Sequence, residues 1–165
     1  MSPRAPIEPF TPHTASDLLE WGEDYAALFD YWQELRGPDR LPDWRRFDPI
    51  RMPKHLSRLW AIEVHEPYRL RYRLVGTHIS GSYGRDPTGK WVDEVWPHFG
   101  PEQGTRYREA VASAEPSFRR GKPRMMVQRE WGMIENLVLP FRHEGLFGLV
   151  LGYSHLYDAD GQSIF

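Results

Sequence analysis

The sequence predicts an α+β domain: a five-stranded antiparallel sheet with helices gathered on one face and an amphipathic helix ahead of it. Three observations carry this. Apolar residues recur at helical spacing between Leu18 and Leu35. The period drops to two in Tyr68 to Gly76, and three strand-like runs close the chain. Between these groups lies a glycine-punctuated block, Thr77 to about Ala114, that reads as mostly short helices. With 165 residues, 40% hydrophobic and 27% charged, the chain has the length and composition of one packed domain.

Residues 1–13 hold four prolines and no apolar run, so they read as a disordered tail without a secretory signal. An N-terminal amphipathic helix is expected over residues 14–37. Thr14 or Ser16 can cap it, Asp17 and Glu20 place negative charge in its first turn, and Gly37-Pro38 stops it. Its stripe is Leu18, Trp21, Tyr25, Leu28, Trp32 and Leu35, at spacings 3, 4, 3, 4, 3. That spacing fits packing on its own domain. It also fits a helix–helix dimer seam, so these six residues are the candidate partner surface. Arg40 to Lys54 contains Pro42, Pro49 and Pro53, which limit it to short turns wrapping the core.

Two strands follow, Leu59 to His65 and Tyr68 to Gly76, joined at Glu66-Pro67 as an antiparallel hairpin. The second alternates Leu70, Tyr72 and Leu74 with Arg69, Arg71 and Arg73. Its arginines serve either to protect a sheet edge or to dock an acidic partner or anionic ligand. In the glycine-rich block, Asp86-Pro87-Thr88-Gly89 reads as a turn. Pro101 opens a longer helix with Tyr107, Ala110, Val111 and Ala114 on its apolar face. Pro116 ends or bends that helix, and Gly121 marks the next turn. The last three strands are placed at Arg124–Glu130, Ile134–Arg142 and Leu146–Leu156, with Trp131-Gly132 as a turn and 158–165 as a C-terminal tail. The globular part therefore spans 38–157.

Composition and motifs exclude much chemistry. Cysteine is absent, which rules out disulfides, thiolate nucleophiles and zinc–thiolate sites. None of the seven histidines pairs at i, i+4, there is no Walker loop, and no Gly-x-Ser-x-Gly elbow occurs. Glu130 and Glu135 flank a hairpin and read as solvent-exposed. The formal net charge of −2 argues against nucleic-acid or membrane binding by bulk charge. The most apolar stretch, Leu146 to Tyr153, is far short of the ~20 residues of a membrane span. The default location is the cytoplasm. Arginine outnumbers lysine 18 to 3, which fits a GC-rich coding sequence.

Four runs resemble the PAS superfamily, most nearly the single-domain PAS-type family found mainly in alphaproteobacteria. They are Leu41-Pro42-Asp43-Trp44 with Phe47-Asp48-Pro49 and Met52-Pro53, and Leu70 to Thr77 with Ile79. The others are Tyr83-Gly84-Arg85-Asp86-Pro87-Thr88-Gly89-Lys90 and Glu135 to Phe141, the last with Gly152-Tyr153. The resemblance implies strand order 2-1-5-4-3 with helices over the concave face. It implies a non-catalytic sensory or regulatory module that binds a small molecule or a protein partner and signals by association. Haem-binding relatives use a histidine on the long helix before the third strand. Glu102 to Arg120 has none, and His98 lies just ahead of it. Relatives that bond flavin or a thioester chromophore need cysteine, so both are excluded here. Non-covalent flavin is not, and the cofactor is unknown.

If the arginines point outward, Tyr72 and Leu74 point inward. Ile79, Tyr83, Trp91 and Phe99 lie in the lid block and Met126 on the strand after it. These seven are the candidate pocket for a small organic ligand. Two other readings stand beside it: a closed core in a pure interaction adaptor, and a small α+β enzyme needing a histidine or carboxylate in the cavity.

Overall fold

Ile7–Phe10, inside the stretch expected to be a tail, forms strand β1 and pairs antiparallel with Ser117–Gly121, strand β4. The structure, a computed structural model, describes residues 5–99, 101–123 and 131–164. The other strands are β2 (Leu59–His65), β3 (Arg69–Val75), β5 (Trp131–Phe141), β6 (Gly148–Asp158) and β7 (Ser163–Ile164). They form one antiparallel sheet in the order β1-β4-β5-β6-β2-β3, with β7 on β6. Leaving out β1 and β7, this is the expected 2-1-5-4-3 order read from its other edge.

Two placements differ from expectation. The third strand of the five is Ser117–Gly121, earlier than the run 124–130, which lies outside the described residues. Pro116 and Gly121 mark its two ends, and its Arg119 and Arg120 are both buried in the sheet. Trp131-Gly132 begins β5 rather than turning. Ser163–Ile164 pairs with Leu156 and Tyr157, so the C-terminal stretch also joins the sheet.

The β2–β3 hairpin carries a bulge. Ala61 pairs with Leu74 and Ile62 with Tyr72, leaving Arg73 as the extra residue. The extra residue shifts the side-chain alternation. Leu70, Tyr72 and Val75 face one side of the sheet, while Leu74 packs on the other. Leu74 is therefore not an inward pocket residue.

Each sheet face carries its own core. On one lie Ile62, Val64, Val138 and Val150, covered by helices α2 (Thr77–Tyr83), α3 (Val92–Val95) and α4 (Pro101–Ser113). The expected inward face of α4 (Tyr107, Ala110, Val111) and the following Ala114 are all buried there. On the opposite face lie Leu59, Ala61, Phe118, Leu137, Leu139, Leu149 and Leu151, covered by helix α1 (Glu23–Arg36).

The N-terminal stripe is split into a 3₁₀ turn, Ala15–Leu18, and α1. The break falls at Gly22, where a Cβ would overlap the Asp24 carboxylate. Thr14 is the N-cap of the 3₁₀ turn, with Asp17 accepting from the Thr14 amide at 3.0 Å. Gly37 caps α1 with φ 54°, as the Gly-Pro pair predicts. Leu18, Tyr25, Leu28 and Trp32 are buried against the sheet, with Trp21 and Leu35 packed on the same core. Within the single chain the stripe is thus covered by the sheet, whereas a dimer seam would need it free. The Trp32 indole N–H donates to the Pro140 carbonyl (2.7 Å), locking α1 to β5. The Pro-rich stretch makes 3₁₀ turns at Trp44–Arg46 and Pro49–Arg51, and a third turn, Leu56–Arg58, leads into β2.

Trp60 on β2 stands opposite Gly152 on β6, and a Cβ at Gly152 would overlap the Trp60 indole. Gly152→Ala must push that ring off the sheet. The expected cost is about 1–3 kcal/mol, read as a lower urea midpoint with an unchanged denaturant slope. An unaltered midpoint would show that the indole does not lie on this glycine.

Candidate functional site

The lid is positioned by backbone demands readable in the sequence. Gly76 starts α2 where the chain passes so close to the carbonyls of Leu56 and Ser57 that no Cβ fits. That seating turns Ile79 and Tyr83 toward the sheet. Gly84 ends α2 with φ 77°. In the next turn Asp86 accepts from the Thr88 amide (3.0 Å) and hydroxyl (2.6 Å), as a turn residue should. The chain then runs along β3: Gly89 N–H donates to Tyr72 O (2.8 Å), and Tyr72 N–H to Lys90 O (2.9 Å). This covers the edge where the arginines stand.

The same pairing turns Trp91 outward. Its ring lies under the Arg69 guanidinium, 4.1 Å from ring centroid to Cζ, and 4.9 Å from the His65 ring. Arg69 also pairs with Asp93 and Glu94, Arg71 donates to Gly89 O, and Arg73 pairs with Glu63. Arg69 and Arg71 therefore hold the lid loop to the hairpin, Arg73 pairs within the hairpin, and Trp91 does not reach the interior.

Between lid and sheet lies a small cavity. Ile62, Tyr72, Ile79, Tyr83, Phe99 and Leu156 make its apolar part; Trp60, Tyr107, Pro123 and Ile134 complete the wall. Its polar groups are Arg106, Arg119, Asn136 and Ser154. The space open to the centre of a water molecule is about 40 Å³. Of the seven candidates, Tyr72, Ile79, Tyr83 and Phe99 come together here. Leu74 and Trp91 do not, and Met126 lies outside the described residues.

The polar side is organised by α4. Arg106 donates to Ser117 Oγ (2.9 Å), Ser117 O (3.0 Å), Asn136 Oδ1 (2.6 Å) and Asn136 O (3.2 Å). It thereby ties the lid helix to β4 and β5. The Trp60 indole N–H donates to Ser154 Oγ (2.7 Å). Asn136 and Ser154 are register partners, as are Asn136 and Arg119. Sequence reasoning missed this row. Its signal was present: in Ile134-x-Asn136-x-Val138 and Gly152-x-Ser154-x-Leu156, a polar residue takes an inward position among apolar ones.

At the apolar end the Trp96 indole N–H donates to the Tyr72 hydroxyl (2.9 Å), which is also hydrogen-bonded to Tyr83. Burial pushes both phenols above their ordinary range, so they are neutral hydrogen-bonding groups. His98 is exposed, with its ring against Trp96. Among the described residues, no group of three or more His, Asp or Glu is placed to hold a metal ion.

A polar layer interrupts the core on the other face. Glu135 is buried rather than solvent-exposed; it pairs with buried Arg120 and accepts from Tyr25 (3.0 Å) and Tyr157 (3.3 Å). Beside it, Asp24 accepts from the Tyr153 hydroxyl (2.8 Å) and His155 Nε2 (2.6 Å). Burial works to raise the Asp24 pKa. The bonds from His155 and Tyr153, with the charge on His155, outweigh this and hold it at about 2. The unfolded chain therefore binds this proton more readily than the folded one. The resulting stability is present above pH ~4 and is lost as pH falls toward ~2. Allowing for partial exposure, wild type should lose about 1–2 kcal/mol more than Asp24→Asn across that window in acid titrations of unfolding. Parallel curves would contradict this.

An antiparallel sheet in this order, closed by short helices over a small cavity, is the build of a sensory or regulatory module. A family model described as "PAS domain" matches residues 23–152, and the chain belongs to that family. Among solved structures it is similar to one titled "Structure of an RNA-binding Light-Oxygen-Voltage Receptor", with 12% sequence identity and a TM-score of 0.44. That similarity covers 97% of this chain and 38% of the other. No curated protein matches. Among the described residues, no helix is long and apolar enough to cross a membrane.

Proposed function

We propose that the chain is a non-catalytic sensory module whose cavity takes a small organic molecule and whose occupancy is read by association with a signalling protein or a second copy. The observation that supports this is the cavity between the sheet and α2–α4, with aromatic walls and a few convergent polar groups. At roughly 10–15 Å³ per water centre, about 40 Å³ admits about three waters or a guest of a few heavy atoms. A larger guest displaces Tyr83 and α2, and occupancy then shifts the chain between two packings of lid on sheet. The Trp60–Ser154 and Arg106–Asn136 bonds give a guest polar groups to compete for.

The small volume favours a second reading, an interaction adaptor with a closed core. One experiment separates the two. The deproteinised small-molecule fraction of host cells is added to wild type and to Ile79→Trp, whose indole fills the cavity. Sensing predicts a raised unfolding temperature in wild type alone. No shift in either supports the adaptor.

A further inference from the structure

The hydrogen bonds on the polar side of the cavity fix which way its groups face. A guanidinium only donates, so the Asn136 atom that meets Arg106 is the carbonyl oxygen, and the Nδ2 hydrogens are turned elsewhere. An indole N–H only donates as well. Ser154 Oγ therefore accepts from Trp60, and its hydroxyl keeps a proton to donate. Both residues are buried, they stand in register on β5 and β6, and both line the cavity.

Two guanidiniums extend this row. Arg106 reaches it from α4, and Arg119 stands opposite Asn136 on β4, buried, with a bond to the Lys122 carbonyl. The next register pair of the same two strands, Arg120 and Glu135, is an ion pair on the other sheet face. On the cavity face an asparagine takes the place of that carboxylate. No Asp or Glu stands among the described residues that line the cavity. Its polar wall is thus positively charged and presents hydrogens. The wall facing it is apolar, with Ile62, Ile79 and Phe99. The Tyr72 hydroxyl is engaged by Trp96 and Tyr83.

We propose that the guest of this cavity is a short-chain carboxylate, its oxygens accepting from the row of Arg106, Arg119, Asn136 and Ser154 and its alkyl chain lying against Ile62, Ile79 and Phe99. The inference rests on the sensing reading above and names the class of molecule sensed. An ionised carboxylate only accepts, and its bonds to guanidinium groups are charge-assisted. A neutral amide of the same shape sets N–H groups against other donors and leaves them unsatisfied out of water. The carboxylate head, a carbon and two oxygens, matches the about 40 Å³ present without displacement of the lid. A longer alkyl chain is what meets Tyr83 and α2.

The test is titration calorimetry on the full chain at neutral pH and fixed ionic strength, with sodium acetate, propionate and butyrate, and with butyramide as the neutral isostere. At least one acid should bind about tenfold or more tighter than butyramide. Asn136→Asp keeps the shape and the acceptor for Arg106 but sets a carboxylate in the row. It should weaken acid binding by about tenfold or more while the unfolding temperature holds. If it does not fold, Arg119→Gln, which removes one of the charges, takes its place. Butyramide binding as tightly as the acids overturns the proposal, as does acid binding unchanged in the variant; the cavity then takes a guest of another class. No heat from any of the three acids overturns it too. The sensing reading falls with it only if the small-molecule fraction of host cells also leaves wild type unshifted.

Discussion

Glu135→Ala is expected to cost about 3–5 kcal/mol, a large part of the ~5–15 kcal/mol that holds a domain together. The substitution removes the buried carboxylate that balances Arg120, on the preceding strand β4 and directly opposite in register. It also takes the acceptor from the Tyr25 and Tyr157 hydroxyls. Both charged side chains are 3% exposed, so water cannot take over. Glu135→Gln keeps an acceptor but not the charge and should fall between. Adding Arg120→Met to Glu135→Ala should recover part of the loss, because a buried ion pair replaced as a unit costs less than one broken. Urea unfolding measures all four. If Glu135→Ala unfolds within about 1 kcal/mol of wild type, the pair is not buried as described.

Trp32→Ala should be comparably severe, about 3–5 kcal/mol. Trp32 is one of the largest fully buried side chains and lies in the centre of the α1 seat. Its removal leaves a cavity beneath the helix and strips the Pro140 carbonyl of its indole donor. Because α1 docks as a unit, its amides should lose protection before those of the central strands. Were the stripe a dimer seam instead, the monomer's stability would change little and the association state would change. A small change in unfolding with a large change in mass would reverse the assignment.

Much of the fold was legible because the periodicities are clean. The alternation Leu70-Arg71-Tyr72, the stop at Gly37-Pro38, and the apolar face of α4 each follow from local rules that tertiary packing does not oppose. The failures have specific causes. Leu74 was misplaced by a bulge, which inserts a residue without a sequence marker. Strand β1 was missed because four residues containing a proline become a strand only when an edge is there to pair with. Strand β4 was hidden because Pro116 and Gly121, at its two ends, read as a helix stop and a turn, and Glu135 looked exposed because it is charged. Buried charge is visible only when its partner is known, and register supplies that partner. Trp91 was assigned inward by its position in the lid block, whereas pairing along β3 turns it out to Arg69. The stripe on residues 18–35 announced a buried face without saying what covers it; the sheet does. The cavity's apolar wall could be guessed from Tyr72, Ile79, Tyr83 and Phe99. Its polar side, Arg106, Asn136 and Ser154, depends on cross-strand register and on a helix reaching two strands.

The sensing reading makes the lid over residues 77–113 a cover for a guest rather than a second layer of core. Native mass spectrometry of the freshly purified chain tests this most directly. The account predicts a species heavier than the bare chain by the mass of one small molecule, lost on gentle activation and absent from Ile79→Trp. A single peak at the 19.4 kDa chain mass from wild type, under conditions that keep it folded, would contradict it.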